Sequence, residues 1–222
     1  MNNWKPTIGK WYDEGYDIKD PIWKSALQFA ERYHIQSNHQ IFVSDQANLR
    51  NKVPIPYVHF LKSMMKAIIE EAYRYGDIVL TVAAFYGLLD NTECTYDIIA
   101  TKFGIYLADA VTALVKRTDE DFDMYVNRIF SYESRFDLPI VLVAVKLLEF
   151  RLIQCPFEDW EEDTQYYTNI ENVLSLHINE NAKTFPGLEA LYLKLKDQLE
   201  YNCTISLNCN KTAEELFLGL DD

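Results

Sequence analysis

An all-helical, single-domain fold is predicted for this chain, and three observations carry the prediction. Apolar residues recur at three- and four-residue steps from Pro21 onward. Gly and Pro are scarce, at seven each in 222 residues. No strand pattern of comparable strength appears; Thr204-Ile-Ser-Leu alternates, but so short a segment decides nothing. With 49% apolar residues the chain is long enough to bury one well-packed core. Charged and apolar residues mix along most of its length, unlike a linker or a low-complexity array.

The first helix opens at Asp20-Pro21, an Asp cap followed by Pro at the first helical position. Its stripe of Ile22, Ala26, Phe29, Ala30 and Tyr33 lines one face and ends the helix near Tyr33. Asn38 to Val53 is polar and irregular and reads as a long loop, of a length that in compact domains is often functional. Further helices are expected over 56–75, 77–89, 95–102, 104–116, 120–132, 138–153, 160–180 and 187–200, giving a bundle of about 8–10 helices. Asp77, Thr95, Gly104 and Pro186-Gly187 supply the caps and breaks. The domain therefore spans 21–201, after an N-terminal extension at 1–20 and before a polar C-terminal tail at 202–222. Leu216, Phe217, Leu218 and Leu220 could dock that tail as a last turn.

A formal net charge of −13 argues against DNA or RNA as a partner, because phosphate-backbone binding needs cations that displace condensed counterions. The charge reads as a solvated acidic surface, or as a face for a basic protein partner. The acidic run Glu158-Asp-Trp-Glu-Glu-Asp163 fits such a face, and equally a helix start enriched in acid. Met1-Asn-Asn-Trp-Lys-Pro lacks the pattern of a secretory signal, and the longest apolar run, Leu138 to Leu148, is interrupted by Lys146 and too short to span a bilayer. A cytoplasmic protein without a membrane partner is expected. Cys94, Cys155, Cys203 and Cys209 lack zinc-knuckle spacing and are expected to be thiols in a reducing compartment.

The segment Thr92-Glu-Cys-Thr-Tyr-Asp-Ile-Ile-Ala-Thr-Lys-Phe-Gly104, followed by Leu107 to Lys116, carries a resemblance. Ala26-Leu-Gln-Phe-Ala-Glu-Arg-Tyr-His34, Pro56-Tyr57-Val58, Val141 to Arg151 and Pro186-Gly-Leu-Glu-Ala-Leu191 extend it in order. Together they resemble the RelA/SpoT-type alarmone hydrolases. The resemblance implies an HD-domain-like helical bundle, hydrolysis of the 3′-pyrophosphate of guanosine tetra- and pentaphosphate, and one Mn²⁺ held by a His, a His-Asp pair and a distant Asp. Such an ion needs hard oxygen and imidazole donors to make a bound water nucleophilic.

Here the register departs at each ligand. Anchored on Thr92 to Thr95, Tyr86 and Gly87 stand at the His-Asp pair; anchored on Pro56-Tyr57, Phe60 stands at the first His; anchored on Arg151, Val145 stands at the distant Asp. The catalytic acidic pair becomes Asp90-Asn91, and Glu149 replaces an Asn two turns before that helix ends. No cofactor is therefore expected. The resemblance makes Arg50, Lys52, Tyr57, Lys116, Glu149 and Arg151, with Arg117, the candidates for contacting a purine polyphosphate. A relocated metal site would draw on His34 and His59, with Asp90; His39 and His177 are weaker candidates.

Three functions follow. One is a hydrolase-like protein that binds a purine nucleotide without cleaving it. Another is an antitoxin-like, immunity-like or regulatory module that binds a basic protein. The last is an active hydrolase with a relocated metal site.

Overall fold

The computed structural model describes residues 21–44, 52–72, 76–132, 137–152, 160–181 and 187–200. Helix α1, Ile22–Gln36, is preceded by an extended Pro21 (φ −61°, ψ 144°), which makes Pro21 the cap and not the first helical residue. Its Ala26 and Ala30 are fully buried, with Phe29 and Tyr33 packed beside them, as the stripe requires.

The helix runs past Tyr33 and ends in a Schellman turn. Asn38 takes a left-handed φ of 48°, its N–H donates to the Ile35 carbonyl, and the His39 N–H donates to the His34 carbonyl. Asn tolerates this conformation better than most residues, which explains its place here.

The expected loop from Asn38 to Val53 is corrected by the structure. Strands β1, Gln40–Ser44, and β2, Lys52–Pro56, pair antiparallel, with Gln40 opposite Pro56 and Ser44 opposite Lys52. Ile41, Phe42 and Val43 are good strand formers, opposite Ile55, Pro54 and Val53. Pro54 and Pro56 hide the strand from a reading of the sequence, because a residue without an N–H suits only an edge. A two-stranded ribbon has two edges, so it can accept them.

Helix α2, Tyr57–Ala72, follows without a break. The helix expected at 77–89 is interrupted: α3 spans Gly76–Ala84, a turn occupies 85–87, and the single-turn α4 spans Leu88–Asn91. Gly87 makes the break, with φ at 71°. Thr95 caps α5, Tyr96–Phe103, by accepting from the Ile98 N–H, and Gly104 (φ 93°) joins it to α6, Ile105–Ala113. Asp121 caps α7, Phe122–Ser131, by accepting from the Met124 N–H.

Then come α8, Leu138–Leu152, α9, Trp160–Asn181, and α10 at 188–200. The alternating segment Thr204-Ile-Ser-Leu, the 1–20 extension and the 202–222 tail lie outside the described residues.

Every residue from 138 to 145 is buried, so α8 is the central helix, apolar on all sides. It packs against α2 and α3, α1 packs against α3, and α7 against α9. None of the described helices is long and apolar enough to cross a membrane.

One buried ion pair ties α6 to α7. Glu120, 7% exposed, accepts from Arg128 Nε at 2.7 Å and Nη2 at 2.8 Å. Arg128 also donates to the Ala113 and Val115 carbonyls at and just beyond the end of α6, and Tyr125 Oη donates to the Leu114 carbonyl at 2.7 Å. These bonds satisfy carbonyls that the end of a helix leaves without N–H partners. The guanidinium holds the Glu120 carboxyl down at about 2.

Candidate functional site

The fold brings together positions that lie more than ninety residues apart in sequence, from Tyr57 to Glu149. Tyr57 and Phe60 lie in the first turn of α2, Tyr86 and Gly87 in the α3–α4 turn, Asp90 and Asn91 on α4, and Val145 and Glu149 one turn apart on α8. Phe60 is 2% exposed and Val145 is sealed at 0%. The Phe60 ring lies 5.3 Å from Tyr57 and 6.4 Å from Tyr86, centroid to centroid.

The Gly87 backbone lies directly against Tyr57. A Cβ at Gly87 would sit 2.7 Å from Tyr57 Oη and 3.1 Å from Asn91 Nδ2, and Asn91 Nδ2 donates to the Gly87 carbonyl at 3.1 Å. Glycine is thus required twice, by its positive φ and by the hydroxyl beside it. Gly87→Ala is expected to destabilise the fold by about 1–2 kcal/mol from the left-handed backbone alone, with a further loss from the clash. In a Tyr57→Phe background the 2.7 Å contact is gone and only contacts of 3.1 Å, to the ring Cζ and to Asn91 Nδ2, remain, so a double-mutant cycle by urea denaturation should show coupling between the two positions. Strict additivity would mean that Tyr57 yields freely.

Electrostatics show what else faces this locus. Burial pushes the Tyr57 phenol far above its ordinary range, with smaller contributions from the Glu149 and Asp90 carboxylates. Tyr86 is pushed well up by burial, then by Glu149, Tyr125, Tyr57 and Asp90. Burial also raises Asp90. Lys146 Nζ donates to Glu149 at 2.6 Å and lies over the Phe122 ring. The locus therefore offers protonated phenols, two carboxylates and an ammonium: hydrogen-bonding groups around an aromatic floor.

Other candidates named from the sequence stand elsewhere. His59 is exposed on α2, and Lys116 is exposed just beyond α6. Lys52 opens β2 opposite Ser44, Arg151 lies in the last turn of α8, and Arg50 is outside the described residues. Arg117 uses its backbone N–H to cap Glu120, and His177 lies 4.0 Å from Asp123 and beside the Phe130 ring. Among the described residues no three His, Cys, Asp or Glu side chains are grouped to hold a metal ion. The relocated site on His34, His59 and Asp90 is therefore not assembled: His34 is buried at the end of α1, whereas His59 faces outward.

Instead His34 meets His39, with Nδ1 to Nδ1 at 3.0 Å, and the His39 ring stacks on Tyr57 at 4.0 Å. The sequence points to His34 with His59, and not to His34 with His39. The missed signal is local: five residues apart with Asn before the second, they occupy the two positions that a Schellman turn brings into contact.

No family model matches the chain, and no curated protein sequence does. A solved structure does: that of a metazoan ortholog of SpoT that hydrolyzes ppGpp and plays a role in starvation responses. The two share 17% sequence identity at a TM-score of 0.58, over 84% of this chain and 98% of that one. At that identity the likeness is one of fold, and the chain has the all-helical architecture of this alarmone hydrolase.

Proposed function

We propose that this chain is a non-hydrolytic protein on the alarmone-hydrolase scaffold, one that binds a purine polyphosphate and does not cleave it. The observation that carries the reading is the chemistry of the four positions where the resemblance expects metal ligands. Phe60 and Val145 offer hydrocarbon, Gly87 offers no side chain, and Tyr86 offers a phenol that burial and its carboxylate neighbours keep protonated. This donor set does not fit Mn²⁺, which takes imidazole nitrogen and carboxylate oxygen.

What remains polar can recognise but not activate. Asp90, Asn91, Lys146 and Glu149 can pair with ribose hydroxyls and base edges, while the half-buried Tyr86 offers an aromatic edge for contact with a base. The scaffold it shares with the SpoT ortholog supports the choice of ligand class.

The test is thermal unfolding with guanosine tetraphosphate, with and without Mn²⁺, and chromatography of the same samples. Stabilisation by nucleotide alone, without pyrophosphate release, is expected; at a ligand concentration 100 times Kd it would amount to about 2.7 kcal/mol. Mn²⁺-dependent release would overturn the reading.

A second reading has its own observation. Tyr96 and Ile98 on α5 and Ile105 and Tyr106 on α6 are large apolar side chains exposed on two helices packed together. With the −13 net charge they suit a protein partner that is basic around an apolar centre. Nucleotide without effect, together with partner binding abolished by Ile105→Lys, would favour it.

A further inference from the structure

We infer that His34 and His39 form a two-imidazole site for a borderline divalent transition-metal ion, at the junction of α1 and the hairpin, with Tyr57 as the residue it shares with the Phe60–Tyr86–Val145 locus. Two ligand nitrogens each about 2.0–2.1 Å from an ion lie about 2.9 Å apart at a right angle and about 3.4 Å apart at a tetrahedral angle. The two Nδ1 atoms stand 3.0 Å apart, inside that window.

Their spacing is built in. The Schellman turn fixes His34 and His39 by two backbone bonds, the Tyr57 N–H donates to the His39 carbonyl at 3.1 Å, and Tyr57 stacks on the His39 ring. A preset pair of donors loses little freedom when it binds.

The pair also opens on space. A cavity of about 160 Å³ is lined by His34 and His39 with Asn38, Gln40, Pro56 and Tyr57. It has room for the waters or exogenous donors that complete the coordination of an ion held by two protein ligands.

Packing alone accounts poorly for these residues. His34 is 2% exposed and its Nε2 has no hydrogen-bond partner. Whichever ring donates across the Nδ1 pair, that buried nitrogen stays unsatisfied, a cost that an apolar side chain would avoid. Burial lowers both histidines, His34 to about 4, so both rings are neutral at physiological pH, the form that ligates. Binding requires both rings in the tautomer with the proton on Nε2. The ring that carries its proton on Nδ1 moves it to Nε2, with no net proton released.

The test is titration of the full chain with Zn²⁺, followed by thermal unfolding, and with Cu²⁺, followed by electron paramagnetic resonance. One equivalent of Zn²⁺ should raise the melting temperature, and Cu²⁺ should show hyperfine splitting from two imidazole nitrogens. His39→Ala should weaken Zn²⁺ binding roughly 10- to 100-fold or more, since even outer-shell losses cost that much; His59→Ala should leave it unchanged. Absence of the two-nitrogen signal in the unaltered protein would overturn the inference, whatever the fold of the variants. So would equal Zn²⁺ affinity in a folded His39→Ala protein.

Discussion

Val145→Asp, which puts a carboxylate where the resemblance to the alarmone hydrolases calls for one, should cripple the fold and confer no Mn²⁺-dependent hydrolysis. Val145 is fully buried in the central helix α8, which packs on α2 and α3. The carboxylates of Glu149 and Asp90 already face the neighbouring Tyr86, and Lys146 is already bound to Glu149. An uncompensated charge there should cost about 3–5 kcal/mol at neutral pH, or roughly 10 °C in Tm for a chain of this size.

The pH dependence identifies the cause. Burial raises the folded pKa of the new acid above its unfolded value of about 3.9. The unfolded state then loses its proton first, so stability falls as pH rises above about 4 and levels off beyond the folded pKa. Thermal melts of variant and parent from pH 3 to pH 8 should therefore diverge as pH rises. A constant gap would point to shape and not to charge.

Arg128→Met should destabilise the protein by a similar amount, about 3–5 kcal/mol, because it leaves Glu120 buried and unpaired and removes the donors to the Ala113 and Val115 carbonyls. Glu120→Gln should cost less, since the amide oxygen can still accept from Arg128. The sign of the pH effect follows from Glu120, which its Arg128 partner holds at about 2, below its ordinary value of 4.5. The contribution of the pair is fully present above pH 4.5 and is lost as pH falls through about 2. Urea denaturation of parent and Arg128→Met should show the gap at its widest near neutrality and narrowing in acid. An equal gap at both ends would mean that Arg128 acts through the carbonyls of α6 and not through Glu120.

The helices and most of their limits were legible in the sequence because their causes are local. Thr95 and Asp121 cap the helices that follow them, Gly104 separates α5 from α6, and the unbroken apolar run from Leu138 marks the central helix. The hairpin was not legible, since Pro54 and Pro56 argue against a strand unless one of its edges is known to be free. Nor was the break at 85–87: a helical stripe continues through it, and the left-handed backbone of Gly87 and the Tyr57 hydroxyl pressed against it together explain why glycine stands there.

Side-chain chemistry at single positions was decided by sequence alone. Phe60, Gly87 and Val145 cannot supply the ligands of a Mn²⁺ centre in any fold, since coordination needs a lone pair that these side chains lack. Tertiary structure decided which groups meet. Glu149 and Asp90 face the same phenols, Arg128 turns back onto Glu120 and the end of α6, and His34 reaches His39 and not His59. Periodicity reports which face of an element is buried, but the partner across that face is fixed by how the helices and the hairpin pack together, and that information is spread over the whole chain.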